Sequence, residues 1–338
     1  MTHPVREVGL GLRGDLPHTA YRELGVAAEG AGFDVLSVFG DLGFQPPLPA
    51  LLLAAQETRR IRLGPACLNP YTTHPVEIAG QIAMLDHVSG GRAFLGLARG
   101  AWLDEVGVTA RHPLTALRDA HAIVSRLLAG DDGGYEGAMF SLEPGLRLRY
   151  PVLRRTVPLL IGSWGERLTG LAGEIADELK VGGTASPTVV AVARGRLDRA
   201  AIEVGRASGS TGVVMGAVTV VDKDGKLARQ AARAAVAMYI AVVGGLDPTS
   251  PIDPELLLRL QGLVAEGDEA AAGRLLSEGL LLRHAFAGTP AEVARQTEEL
   301  YAAGAKRVDF GQPLGIDGVE RGFGLLARGV LPRLSISG

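Results

Sequence analysis

"RIRLGPACLNPYTTHPVEIAGQIAMLDHVSGGRAFLGLARGAW", residues 60–102, decides the architecture. Its first part, "IRLGPACL" (61–68), is a short apolar run of the kind that forms a strand. "PVEIAGQIAMLDHVSG" (75–90) repeats its apolar residues at three- and four-residue steps and closes on Gly90, which predicts a helix. "RAFLGLARG" (92–100) is a second strand running into a glycine turn. Two strands joined through a helix run parallel, because the helix carries the chain back to the starting edge.

The same alternation extends in both directions. Strands are expected at 7–13, 33–41, 157–163, 177–183, 211–222 and 305–313, with helical segments between them. Eight strands alternating with helices over 338 residues fit a single α/β domain, a closed (β/α)8 TIM barrel spanning 1–338, with insertions near 131–155 and 245–285. The stretch from 224 to 303 reads as long and helical, with the second insertion inside it. An open doubly wound sheet is the competing arrangement, since periodicity does not report closure.

Composition excludes several classes of function. Apolar residues make up 47% and charged residues 21%, the balance of an ordinary globular chain. The net charge of -3, without a block of like charges, leaves no footprint for nucleic acid or an anionic membrane. No apolar run approaches the length of a membrane span, and "MTHPVREVGLGL" lacks the pattern of a signal peptide, so the cytoplasm is expected. The single Cys67 excludes an internal disulfide. Histidines are scattered, without HxH or HExxH, and no metal site is expected.

In a barrel the chemistry gathers where strands end and βα loops begin. "LIGSWGERLTG" places Gly162, Ser163 and Gly165 between a strand and a helix, where backbone N–H groups and the helix dipole can hold a phosphate. The plainer reading makes them a turn with Ser163 as a cap. "GLARGAW" ends the preceding strand with a second glycine turn and the cation Arg99, and two such turns side by side favour a phosphate clasp. No GxxxxGK[ST] loop occurs, and no GxGxxG opens a helix after the first strand. Asp41 follows the apolar run "SVFG" directly onto the catalytic rim. His74 precedes Pro75 at a helix start, where capping competes with a chemical role. Cys67, at an apolar strand end, reads more readily as an inert thiol than as a nucleophile.

The run 60–102 resembles the luciferase-like hydride transferases and monooxygenases, with their pattern RxxLGxxVxNPYxRHPxxxAxxxAxLDxxSxGRxxLGxGxG. "LIGSWGERLTGLAGEIADELKVGG" and "AGTPAEVARQTEELYAAGAKRVDFGQPLGID" are similar to later segments of that family. The ending "FGQPLGID" is most similar to its F420-dependent branch, the methylenetetrahydromethanopterin reductases. The resemblance implies an insertion-bearing TIM barrel, a homodimer, and coenzyme F420, or alternatively FMN, in the barrel mouth. It also implies a bulge after the third strand, with a cis bond between Ala66 and Cys67 beneath the ring and Asn69 beside it. By the same correspondence Asp41 lies next to the ring. Arg99-Gly100-Ala101 and Gly162-Ser163-Trp164-Gly165 surround the phosphate, and Trp102 and Gln312 face the substrate.

Two positions depart from relatives. Leu42 stands where several F420 dehydrogenases carry a catalytic His, which disfavours sugar-phosphate or alcohol oxidation by that route. Gly11 stands where the reductase has a carboxylate, which leaves the pterin substrate open. The expected activity is hydride transfer from reduced F420 to an electron-poor C=C or C=N of a small organic or peptide substrate, with Asp41 as acid and His74 as second choice. An FMN monooxygenase and a catalytically inactive flavin-binding subunit are the alternatives.

Overall fold

The alternation of short apolar runs and amphipathic segments is realised along the chain. The computed structural model describes residues 6–249 and 252–336. Its elements begin β1 (Glu7–Leu12), α1 (His18–Ala31), β2 (Val35–Val38), α2 (Pro47–Glu57), β3 (Arg62–Pro65), α3 (Pro75–Ser89), β4 (Leu95–Ala98) and α4 (Pro113–Ala129). They continue with β5 (Tyr135–Glu136), β6 (Ser141–Leu142), β7 (Leu159–Gly162), α5 (Glu166–Ile175), β8 (Glu178–Gly182), α6 (Pro187–Glu203), β9 (Gly212–Val221) and α7 (Gly225–Val243). Then come α8 (Pro254–Ala265), α9 (Glu269–Arg274), α10 (Glu278–His284), β10 (Ala285–Gly288), α11 (Pro290–Ala302), β11 (Arg307–Leu314) and α12 (Val319–Leu325).

Each of the eight expected strands is present, most of them shorter than expected by one to five residues and β11 reaching one residue further, to Leu314. Two features differ from expectation. Ala285–Gly288, inside the stretch read as helical, is a strand parallel to β9. Four apolar residues between two helical patterns carry too little periodicity to identify themselves. The loop-rich insertion after α4 contains the antiparallel pair β5 and β6. Asp119 of α4 organises it, accepting from the Tyr135 hydroxyl and the Met139 and Phe140 amides.

The chain divides into two compact units, one of Leu12–Leu179 with Ala200–Thr211, the other of the remaining residues. In the first, β2 pairs with β3 and β4 with β7, all parallel, and bridges at Leu63–Ala93 and Leu68–Leu97 join β3 to β4. Val35, Phe94 and Leu160 form a buried group against which Cys67 packs. Pro75 and Pro113 open α3 and α4, and left-handed Gly90 and Gly130 close them. These residues fit because proline lacks the N–H a first turn leaves unused, and glycine bears no Cβ to clash at positive φ. Below the sheet, the Arg92 guanidinium donates to the carbonyls of Ala55, Thr58, Ile61 and Ser89, tying the α2–β3 link to the end of α3. Arg154 performs a similar task on the buried Asp86 carboxylate and the Ala93 carbonyl.

In the second unit β1, β11, β9 and β10 lie side by side in parallel. Helices α7 to α10 enclose a cluster including Val236, Ile240, Leu260, Leu276 and Leu281, so the expected insertion is a packed helical body. An ionic group is also buried here. The Lys180 ammonium is 2.6 Å from Asp309 Oδ2, and Arg307 Nε donates to Asp309 Oδ1 at 2.8 Å. The three side chains have 8%, 2% and 0% of their surface exposed for Lys180, Asp309 and Arg307 respectively. Gly9 makes room for the carboxylate, since a Cβ there would lie 1.9 Å from Asp309 Oδ1.

Candidate active site at the strand exits

The geometry of the site begins with how β3 ends. The Ala66 N–H donates to Val38 O, the Leu68 N–H to Gly96 O and the Ala98 N–H to Leu68 O, each at 2.9 Å. Ladder bonds thus flank the Ala66–Cys67 peptide bond on both sides, and that bond is cis, as the family resemblance implies. Glycines on the adjoining strands or their exits face this bulge. A Cβ on Gly40 would lie 2.2 Å from Cys67 O, one on Gly96 2.0 Å from Pro65 O, and one on Gly162 2.9 Å from Cys67 Sγ.

Beyond the bulge, Asn69 is 6% exposed, and its Oδ1 accepts from the Tyr71 and Thr72 amides and the Thr72 hydroxyl. This turn directs the chain to His74, which caps α3 through Nδ1 accepting from the Val76 N–H at 3.3 Å. The His74 imidazole meets the Phe140 ring edge-on at 5.7 Å. The capping reading of His74 is thus present in the structure.

At the exit of β2, Asp41 is one residue past Gly40 and half-buried. Burial pushes its carboxyl above the usual carboxylate range, and the Arg13 cation pulls against that rise. Arg13 is itself held by Asp15 at 2.5 Å and lies 5.6 Å from the Phe44 ring centre.

Arg99, at the exit of β4, is exposed, and among the described residues it has no carboxylate partner. Gly100 follows at φ 89°, then Ala101 and Trp102, the latter left-handed at φ 55°. The Asn69 side chain fills the space beside Gly100, where a Cβ would come within 3.1 Å of its Cγ. The ladder places the β4 exit beside that of β7, because Ala98 pairs with Gly162. Ser163 Oγ accepts from the Gly165 N–H at 3.0 Å, and Gly165 precedes the first turn of α5. Such a first turn presents N–H groups that no helical carbonyl can satisfy.

The structure therefore gathers Asp41, Ala66, Cys67, Asn69, Arg99, Gly100, Ala101 and Gly162 to Gly165 around the ends of four neighbouring strands, β2, β3, β4 and β7. Gln312 belongs to the other unit, where it is buried and joined to Pro313 by a cis bond. Sequence reasoning passed over Tyr71, whose hydroxyl donates to Arg111 O at 2.7 Å. It also missed the buried Lys180–Asp309–Arg307 group. The available signal was opposite charges inside strands that also carry Val, Leu and Phe. Among the described residues no helix is long and apolar enough to cross a membrane, and no group of three or more His, Cys, Asp or Glu could hold a metal ion.

Comparison with known proteins extends over almost the full length. The 5,10-methylenetetrahydromethanopterin reductase of Methanopyrus kandleri is 30% identical over 343 residues, covering 96% of this chain and 97% of that one. The reductase of the same name from Archaeoglobus fulgidus is 29% identical over 317 residues, covering 91% and 93%. Among solved structures, the coenzyme F420 dependent tetrahydromethanopterin reductase from Methanopyrus kandleri superposes with a TM-score of 0.88 at 28% identity, covering 98% of this chain and 100% of that one. The fold is the luciferase-like TIM barrel. The model of the family described as luciferase-like monooxygenase matches residues 7–307, and the chain belongs to that family.

Proposed function

We propose that this protein is an oxidoreductase that uses reduced coenzyme F420 to pass a hydride to an electron-poor C=C or C=N bond of a small organic or peptide substrate. The observation that carries the reading is the grouping in one unit of an exposed cation without a carboxylate partner among the described residues, an amide-rich turn and a half-buried carboxyl, around paired strand ends. Similarity over nearly the whole chain to reductases, one of them described as F420 dependent, supports the choice of coenzyme.

The donors present suit a flat ring with an anionic side chain. Arg99, with the backbone at Gly100 and Ala101, supplies positive charge and a turn open to close approach. Ser163, Trp164 and Gly165 supply a hydroxyl and the start of α5, a favourable place for a phosphate. Half-buried Ala66 and Cys67, with the buried Asn69 beside them, would form the shelf for the ring. When bound, F420 supplies the hydride from C5 of its reduced ring, and the electronic work belongs to the coenzyme.

The chain's contribution is placement and proton supply. Trp102 bounds the space for the acceptor, whose reacting carbon needs to come within about 3–3.5 Å of the donor for efficient transfer. Asp41 keeps its proton to higher pH than an ordinary carboxyl because it is buried. It can therefore hold a proton for the atom next to the one reduced. His74 gives one ring nitrogen to its helix cap, so Asp41 is the better acid.

The test is a titration of apoprotein with F420 and, separately, with FMN, following ring absorbance and fluorescence. Saturable micromolar uptake of F420 with weaker uptake of FMN is expected. FMN uptake with oxygen consumption would replace this reading with a monooxygenase, and uptake of neither would remove the enzyme reading.

A further inference from the structure

Two loops of the site are joined at two points, one of them through Tyr71, which the reading above leaves without a role. The β3–α3 loop carries Asn69 and Tyr71, and the β4–α4 loop carries Arg99, Gly100, Trp102 and Arg111. They touch first at Gly100, packed against the Asn69 side chain. They are joined again at the far end of the second loop, where the Tyr71 hydroxyl donates to Arg111 O at 2.7 Å. Tyr71 is itself fixed, because its own N–H donates to Asn69 Oδ1.

The second loop needs such anchoring. Within it, Leu103 is its buried side chain. Trp102 and His112, near its two ends, adopt left-handed backbone at φ 55° and 48°, a region few non-glycine residues occupy. A loop held by little packing loses conformational freedom when it closes on a ligand, and that loss weakens binding. A bond already made in the free protein reduces it. Arg99 lies within electrostatic reach of Tyr71, since burial pushes the Tyr71 phenol up and the Arg99 cation opposes that rise.

We propose that Tyr71 is a positioning residue for the anionic part of the coenzyme: its bond to Arg111 holds the β4–α4 loop so that Arg99 and Gly100 stand ready for the phosphate. The proposal rests on the reading that this site takes F420. It differs from a general structural role in acting through Arg99, and only on the charged end of the ligand.

The experiment compares wild type, Tyr71→Phe, Arg99→Ala and the double variant, titrated with F420 and with its deazaflavin chromophore lacking the phosphate side chain. Deuterium exchange of the amides at 99–112 is followed without ligand. Loss of one neutral hydrogen bond corresponds to about three- to tenfold weaker F420 binding in Tyr71→Phe. Binding of the phosphate-free chromophore should be unchanged, and the double variant should bind F420 no more weakly than Arg99→Ala alone. The loop amides should exchange faster in Tyr71→Phe. Equal losses for both ligands, losses that add fully in the double variant, or unchanged exchange would each overturn the proposal. Failure of the wild type to bind F420 overturns the reading of the site and the phosphate part with it, and is distinct from normal F420 binding by Tyr71→Phe, which overturns the positioning role alone.

Discussion

Asp41 leaves an apolar strand for a half-buried position, and the cost of that placement gives it chemistry. Burial raises its carboxyl and Arg13 only partly offsets the rise. Because the folded value is above the unfolded one, the folded protein binds more protons between the two, and stability declines as pH rises through that window. Above that window the cost is fully present. Asp41→Asn is therefore expected to match or exceed wild type in thermal midpoint on the alkaline side of the window, with any gain disappearing in acid below the ordinary carboxylate value. Turnover should fall by roughly 10²-fold or more, the scale of a lost general acid. Melts at two pH values and steady-state rates check both parts, and unchanged turnover would remove Asp41 from the mechanism. This residue was legible in sequence because an apolar run ended on a carboxylate at an expected rim. Its protonation was not, because Arg13 comes from another loop, and the helix-capping geometry of His74 needed coordinates to separate from a chemical role.

The β3 exit is an element shaped by its neighbours. Gly40, Gly96 and Gly162 leave the space that the Pro65–Cys67 backbone and the Cys67 thiol occupy. The contacts differ in kind, and that orders the consequences of adding a methyl group. On Gly40 it would meet a backbone carbonyl at 2.2 Å, whereas on Gly162 it would meet a sulfur at 2.9 Å that can turn aside. Gly40→Ala is expected to lose about 1–3 kcal/mol, the usual cost of overpacking, and Gly162→Ala less. Urea midpoints check the order, and equal midpoints would mean that the bulge yields to either methyl. Sequence showed glycines ending apolar runs, as any strand-to-helix turn would. Which of them faced the bulge depends on strand register, and no single segment contains that information.

At the scale of the whole molecule, the alternation of runs was enough to place all eight principal strands. Ala285–Gly288, no shorter than β2, β3, β4 or β7, escaped because it follows α10 without a break, and the β5–β6 pair because Asp119, distant in sequence, organises it. The ionic group of Lys180, Asp309 and Arg307 escaped because burial is a property of the assembled strands. Its energetics are testable. Burial alone would raise the Asp309 carboxyl, but the Arg307 and Lys180 cations overcome that and hold it below the usual range. Such a group contributes stability above its unfolded value and loses that contribution as pH falls through the folded one. Asp309→Asn, which removes the anion lying between two buried cations, is expected to cost about 3–5 kcal/mol at neutral pH, and the difference from wild type should shrink in acid. Denaturant curves at the two pH values measure it, and a variant as stable as wild type would show that water reaches the cluster.

The chain has two tryptophans, Trp102 and Trp164, and they follow β4 and β7, strands that pair directly. Tryptophan emission, excited at the long-wavelength edge where the six tyrosines do not absorb, therefore originates at the candidate reaction centre. What is ordinarily an average over a fold becomes, in this chain, a local optical signal from the two loops that flank the chemistry.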